Sequence, residues 1–159
     1  PIALRYPRGS VIGNIGVGAN GHSPLQLGKS ELLRDGKDVA IIALGSMVCP
    51  SMEAADILAQ QGIQVCVVNA RFAKPFDVEL FLQLSQKINK FLVVEEGIVQ
   101  GGFGSNVIEF FHSQNKDVKI KLLGLPDMFI EHGPMPALLK RYGLSSDNIA
   151  KVAKTLLSS

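Results

Sequence analysis

The chain has 159 residues and is 47% hydrophobic, which suits one globular domain with a sizeable core. Its 16 Lys and Arg residues against 14 Asp and Glu residues give a formal net charge of +2 without a basic run, so neither nucleic acid nor a membrane surface is a predicted partner. No apolar run reaches the roughly 18 residues of a membrane span, and no signal-peptide pattern opens the chain.

The first 28 residues differ in character from the rest of the chain. The segment PIALRYPRG is followed by a run rich in Gly, Asn and Pro. This composition predicts a linker or arm over residues 1–28 and a folded domain over residues 29–159. Because the chain begins with Pro1 and not with Met, we expect it to be a piece of a longer protein.

A short edge strand is predicted at residues 28–33. The Asp35-Gly36 pair that follows has the sequence of a tight turn. Such a turn would reverse the chain directly into the next strand, at residues 39–45. The sequence therefore predicts an antiparallel hairpin at one edge of a sheet.

From residue 38 onward, short apolar runs alternate with helical patterns. Buried strands are predicted at 39–45, 64–70 and 91–94, and an outer strand with alternating lysines at 118–124. Pro50 and Asp77 mark helix starts, and two short helices near 135–142 and 146–157 close the chain. The predicted apolar helix contacts are Ala54, Ala55 and Leu58, then Phe76, Leu80 and Leu84, then Val107, Ile108 and Phe111.

This order of elements predicts an α/β fold. Right-handed crossovers between parallel strands place helices on both faces of a sheet. We therefore expect a three-layer α/β/α domain around a mostly parallel five-stranded sheet with one antiparallel edge strand.

Four glycines lie between the third buried strand and its helix: Gly97, Gly101, Gly102 and Gly104. Glycines permit positive φ angles, and a glycine turn that opens a helix can present backbone N–H groups to a phosphate. The dinucleotide motif G-x-G-x-x-G is not completed, because Val107 stands at the third glycine position, and no P-loop motif occurs. Close helix-sheet packing, or docking against another domain, is therefore favoured over a nucleotide site.

Polar residues gather where the predicted parallel strands end, which is the edge where such sheets meet ligands and partners. A structural ion pair of Arg71 or Lys74 with a glutamate is favoured over catalysis. Glu95 and Glu96 are adjacent on a strand, so they would point to opposite faces and could not form a facing acid-base couple. The residues predicted to contact a neighbouring domain or subunit are Arg71, Lys74, Glu95, Gly102 and Gly104.

The cysteines and histidines form neither a metal-binding nor a catalytic pattern. Cys49 and Cys66 lie in apolar contexts typical of buried, reduced thiols, which suggests a reducing compartment. His22, His112 and His132 have no partners at ligand spacing, and no G-x-S-x-G elbow marks a nucleophile. We predict no metal site and no catalytic residue in this chain.

Four segments stand out by their order and separation: RYPRG (5–9), VVNARFAKPFD (67–77), EEGIVQGGFGS (95–105) and LPDMFIEHG (125–133). Together they resemble the C-terminal domain of the 1-deoxy-D-xylulose-5-phosphate synthase family, among the thiamine-diphosphate-dependent transketolase-like enzymes. The resemblance covers nearly the whole chain. The alternative is the related domain of transketolase or of a 2-oxo acid dehydrogenase beta subunit.

The resemblance implies a transferase that condenses pyruvate with D-glyceraldehyde 3-phosphate and releases carbon dioxide, in non-mevalonate isoprenoid (terpenoid) and thiamine biosynthesis. The resemblance also implies that thiamine diphosphate and Mg²⁺ are held by the two preceding domains. Their G-D-G…N motif and pyrimidine-binding segment do not occur in this chain. The resemblance further implies a homodimer, in the bacterial cytoplasm or the plastid stroma. The isolated chain would bind no cofactor, lack activity and serve as a non-catalytic module for interdomain or dimer contacts.

One substrate contact is implied by the resemblance. Arg8, the second arginine of RYPRG, matches the family's arginine that contacts the phosphate of the aldehyde substrate. A guanidinium suits this role because it is permanently charged and has a planar fork of donors. The alternative for Arg8 is a linker residue in a surface salt bridge. For Arg5, three positions earlier, a structural role is expected.

Overall fold

A computed structural model of the chain describes Ala3 and residues 26–158. The described strands are β1 Glu31–Arg34, β2 Val39–Ala43, β3 Val65–Asn69, β4 Lys90–Ile98 and β5 Lys119–Leu125. The α-helices are α1 Val48–Ala59, α2 Val78–Ser85, α3 Phe103–Ser113, α4 Met135–Arg141 and α5 Ser146–Leu157, and a 3-10 turn at Gly45–Met47 precedes α1. These elements form the predicted three-layer α/β/α fold. None of the described helices is long and apolar enough to cross a lipid bilayer.

The five strands form one sheet in the order β1-β3-β2-β4-β5, in which only the β1–β3 pair is antiparallel. The antiparallel edge strand is confirmed, but the predicted hairpin is wrong, because Glu31 of β1 pairs with Asn69 of β3. β2 lies between β3 and β4, so neither of its edges is free. The turn after β1 instead passes close to the start of β3, where a Cβ on Gly36 would lie 2.3 Å from the carbonyl carbon of Val65.

Side chains of the central strands alternate between two buried faces. One face packs against α1 and α5, and the other packs against α2 and α3. All five residues of β2 are buried, with Val39, Ile41 and Ala43 on the first face and Ala40 and Ile42 on the second. Strands without polar alternation therefore lie in the middle of the sheet, where helices cover both sides.

The outer elements also follow the sequence pattern. β5 is the second edge strand, with exposed Lys119 and Lys121, and α4 and α5 occupy the two predicted C-terminal segments. Ile108 is an exception, because it is 40% exposed and not a contact to the sheet. The inward stripe of α3 has a four-residue spacing that leaves Ile108 to one side. This stripe consists of Phe103, Val107 and Phe111.

Both cysteines are free, with Cys66 buried in β3 and Cys49 half-buried in α1. Burial, with a smaller contribution from the carboxylate of Asp35, raises the pKa of the Cys66 thiol to about 12. A thiol with so high a pKa is almost wholly protonated at neutral pH, and only the thiolate is strongly nucleophilic. Cys66 therefore acts as an apolar core residue.

Candidate functional site

The carboxyl ends of the four parallel strands meet along one side of the sheet, which we call the carboxyl edge. It comprises residues 44–46 after β2, 70–74 after β3, 95–104 at and beyond the end of β4, and 125–134 at and beyond the end of β5. From β2 the chain passes through α1 to β3 on one side of β2, and β4 lies on the other side of β2. The direction in which strands are added to the sheet therefore reverses between β2 and β4. Sheets of this kind bind ligands and partners at such a switch point.

Glu95 lies near the end of β4, and its residue surface is only 6% exposed. Its carboxylate accepts hydrogen bonds from the backbone N–H of Phe103 at 3.0 Å and of Gly104 at 2.8 Å. These are the first N–H groups of α3, whose N-cap residue, Gly102, has no side chain to satisfy them. Glu95 therefore caps α3 from the neighbouring strand, and its negative charge faces the positive end of the helix dipole.

This contact supports packing over phosphate binding at the glycine turn. A phosphate at the start of α3 would need the same N–H groups that Glu95 occupies, and it would meet a buried negative charge. Space is also tight, because a Cβ on Gly102 would lie 2.1 Å from the carbonyl oxygen of Ile98 and 2.7 Å from both carboxylate oxygens of Glu95. Gly102 thus allows the carboxylate to reach the helix.

The strand and the glycine turn differ in detail from the predictions. β4 does not end at the two glutamates but continues to Ile98, which pairs with Leu125 of β5. Gly101 has the predicted positive φ, at +72°. The other three glycines have no positive φ, but their surroundings leave no room for a side chain. A Cβ would come within 3 Å of a neighbouring atom at each of them: Gly97, Gly102 and Gly104.

Glu96 points to the opposite face of the sheet, as the alternation along a strand requires. Its Oε2 accepts a hydrogen bond from Ser46 Oγ in the 3-10 turn after β2. This bond joins the ends of β2 and β4 at the switch point. The two adjacent carboxylates therefore have separate partners and do not form an acid-base couple.

Arg71 follows β3 in an unusual backbone conformation. Its φ is +56°, and the N–H of Phe72 donates to the carbonyl of Ala70, which closes a three-residue turn. Non-glycine residues at positive φ typically cost about 1–3 kcal/mol and cluster at functional sites. Arg71 Nη2 also lies 2.7 Å from Glu31 Oε2, and both side chains are only 19% exposed. The predicted ion pair with a glutamate is thus confirmed for Arg71, and it connects the end of β3 to β1.

Two open grooves flank these residues. The larger, of about 520 Å³, runs along the end of β4 and is lined by residues 95–98, 100–102 and Leu125. The smaller, of about 350 Å³, lies between the loop after β3 and α3, where the exposed Lys74 stands near Phe110 and Glu109. Within the described residues, no group of three or more His, Cys, Asp or Glu side chains could hold a metal ion.

Over residues 28–149 the chain matches the family model described as transketolase, C-terminal domain. The chain belongs to this family. Its curated relatives include two 1-deoxy-D-xylulose-5-phosphate synthases. The synthase of Trichormus variabilis is 46% identical, and the match covers 95% of this chain and 24% of the relative. The synthase of Gloeobacter violaceus is 45% identical, and the match covers 100% of this chain and 25% of the relative. A solved structure titled "Split gene transketolase, inactive beta4 tetramer" has a TM-score of 0.79 at 34% identity, over 84% of this chain and 44% of that chain. The chain spans about a quarter of the length of the curated relatives it matches.

The structure of this transketolase C-terminal domain assigns internal roles to three of the predicted contact residues. Glu95 and Gly104 are buried, and Gly102 lies against Glu95. Arg71 and Lys74 lie at the carboxyl edge with part of their surface open. Their contact with a neighbouring domain or subunit stays a prediction. Arg8 and His22 lie outside the described residues, while His112 and His132 are exposed.

Asp77 has a larger role than a helix start. Its carboxylate accepts hydrogen bonds from Leu80 N at 3.3 Å, as the N-cap of α2, and from Ser30 N at 3.0 Å. Lys29 Nζ lies 3.4 Å from the same carboxylate, and Ser30 Oγ donates to the carbonyl of Ala70. The chain leading into β1 is therefore fixed at the carboxyl edge. A helix-start signal predicts the N-cap bond but carries no information about the distant Ser30.

Proposed function

We propose that this chain is the C-terminal domain of a 1-deoxy-D-xylulose-5-phosphate synthase, a transferase that condenses pyruvate with D-glyceraldehyde 3-phosphate and releases carbon dioxide. The observation that carries the proposal is the identity of 42–48% to synthases that are matched over 95–100% of this chain. The transketolase structure is less similar, at 34% identity. The synthase is therefore favoured over transketolase or a 2-oxo acid dehydrogenase beta subunit.

In this proposal the domain performs no chemistry. The carboxylates of Glu95 and Glu96 bind the start of α3 and Ser46, and Arg71 is paired with Glu31. The start of α3 does not fit the diphosphate of the cofactor, because Glu95 occupies it, and the described residues contain no cluster of three or more His, Cys, Asp or Glu side chains that could hold a metal ion. Thiamine diphosphate and Mg²⁺ would both be bound by preceding domains, where the cofactor supplies carbanion stabilisation.

We further propose that the domain organises the enzyme through its carboxyl edge, facing a preceding domain or the second subunit of a homodimer. Support comes from the charged, partly open Arg71 and Lys74 and from the strained turn at Arg71. The enzyme would work in the bacterial cytoplasm or the plastid stroma. Its product would enter isoprenoid and thiamine biosynthesis.

The chain on its own should bind neither thiamine diphosphate nor pyruvate. Calorimetric titration with each compound, with and without Mg²⁺, should give no saturable heat, because the start of α3 is already occupied by Glu95. A Glu95→Gln variant is the matched control, since it removes the charge that would repel a diphosphate. Saturable micromolar binding of the cofactor to the unaltered chain would overturn the assignment of catalysis to other domains.

A further inference from the structure

Three large apolar side chains are exposed along the carboxyl edge, and we call them the apolar patch: Ile98, Met128 and Phe129. Ile98 pairs in register with Leu125, and the other two follow Leu125 in the loop at residues 126–134. Phe129 is 102% exposed, Met128 59% and Ile98 45%. Single exposed apolar residues are ordinary, but three of them near the paired ends of β4 and β5 favour an interaction surface.

The loop that presents Phe129 is anchored on α4. Glu131 Oε2 accepts a hydrogen bond from Tyr142 Oη at 2.6 Å, and Glu131 Oε1 lies 2.5 Å from Arg141 Nη1. The hydrogen bond from Tyr142 lowers the pKa of Glu131 and raises the pKa of Tyr142, so both groups keep at neutral pH the protonation states that this bond needs. An anchored loop loses less conformational entropy on binding than a free one. The exposed Phe129 is therefore presented in advance of any contact.

The chain enters the domain at the same edge of the sheet. Ser30 is bound to Asp77 and to the carbonyl of Ala70, and β1 begins beside the end of β3. Polypeptide preceding residue 26 is therefore tethered at the carboxyl edge, at the β1 end of the sheet, while the apolar patch lies along the same edge at the ends of β4 and β5. A covalent tether gives an effective concentration on the order of millimolar, which favours the tethered domain over other partners.

We propose that the apolar patch is the docking anchor for the domain that precedes residue 26 in the same polypeptide, with Phe129 inserted into an apolar pocket of that domain. The proposal rests on the proposed function, because it requires a longer polypeptide. Relatives of about four times this length supply such a domain, since the chain covers 25% of the Gloeobacter violaceus synthase. Aromatic side chains at the centre of an interface commonly dominate its energy.

Hydrogen exchange tests the proposal in a chimera, defined as the Gloeobacter violaceus synthase with its last quarter replaced by this chain. Amides of the loop at 126–134 should exchange at least about tenfold more slowly in the chimera than in the isolated chain, because docking must open before they exchange. The same comparison is made with Phe129→Ser and with Ile108→Ser, a matched control on the exposed face of α3. Only Phe129→Ser should abolish the protection, and neither substitution should alter the melting temperature of the isolated chain by more than a few degrees.

Three other outcomes are distinguishable. Equal exchange of the loop in the chimera and in the isolated chain would overturn the docking anchor. Protection that appears in the isolated chain as its concentration rises would identify a second copy as the occupant and would overturn the assignment to a preceding domain. A chimera that protects the loop through Phe129 but lacks carboligation activity would contradict the proposed function and leave the anchor supported.

Discussion

Replacing Glu95 by Ala should destabilise the isolated chain by about 2–4 kcal/mol, because each buried N–H group left without an acceptor costs roughly 1–3 kcal/mol and a lost helix cap roughly 0.5–2 kcal/mol. The substitution deletes the acceptor for the N–H groups of Phe103 and Gly104 and leaves both without a partner at the buried start of α3. Gly102 cannot replace the cap, because it has no side chain. The loss is measured as the free energy of unfolding in urea, followed by circular dichroism.

Two variants make this measurement specific. Glu95→Gln keeps one acceptor oxygen in the same place, so it should lose roughly half as much stability. Glu96→Ala removes the neighbouring carboxylate, which is partly exposed and faces Ser46 on the other side of the sheet, and should cost no more than about 1 kcal/mol. Equal losses for Glu95→Ala and Glu96→Ala would contradict the capping role of Glu95.

If Arg8 binds the phosphate of the aldehyde substrate, as we propose, replacing it by Ala in the chimera should raise the KM for D-glyceraldehyde 3-phosphate by about 10- to 150-fold. The estimate corresponds to the loss of one charge-assisted bidentate contact to phosphate, worth roughly 1.5–3 kcal/mol. The KM for pyruvate should stay close to that of the unaltered chimera, because pyruvate has no phosphate. Steady-state kinetics with each substrate varied in turn supplies the comparison.

Further controls separate substrate binding from a structural role of Arg8. Arg8→Lys should recover only part of the loss, since an ammonium lacks the planar fork of a guanidinium. An unphosphorylated aldehyde should react about equally well with the chimera and with its Arg8→Ala variant. A parallel weakening of both substrates, accompanied by a lower melting temperature, would mean that Arg8 is a linker residue.

The sequence was informative about the layers of the fold because fully apolar runs require cover on both faces. β2 and β3, for example, are predicted strands in which every residue is buried. The partner of β1 could not be predicted in the same way. The Asp35-Gly36 pair specifies a turn locally, but the two edges of β2 are taken by strands that the chain reaches much later.

The candidate site was less predictable because its contacts join distant residues. Glu95 lies eight and nine positions before the N–H groups that it binds, and no local pattern relates a strand carboxylate to a helix start at that distance. Phe129 was missed for a different reason. An aromatic residue beside an isoleucine in a loop is usually packed, and only the three-dimensional structure shows that the Phe129 side chain is open to solvent.

The most direct test of the central claim is the carboligation activity of the chimera. Its formation of 1-deoxy-D-xylulose 5-phosphate from pyruvate and D-glyceraldehyde 3-phosphate is compared with that of the unaltered Gloeobacter violaceus synthase and of the same synthase without its last quarter. If this chain is the C-terminal domain of such a synthase, the chimera should have activity within about tenfold of the unaltered enzyme, and the truncated enzyme should have almost none. A chimera that folds and binds thiamine diphosphate but is as inactive as the truncated enzyme would contradict the claim.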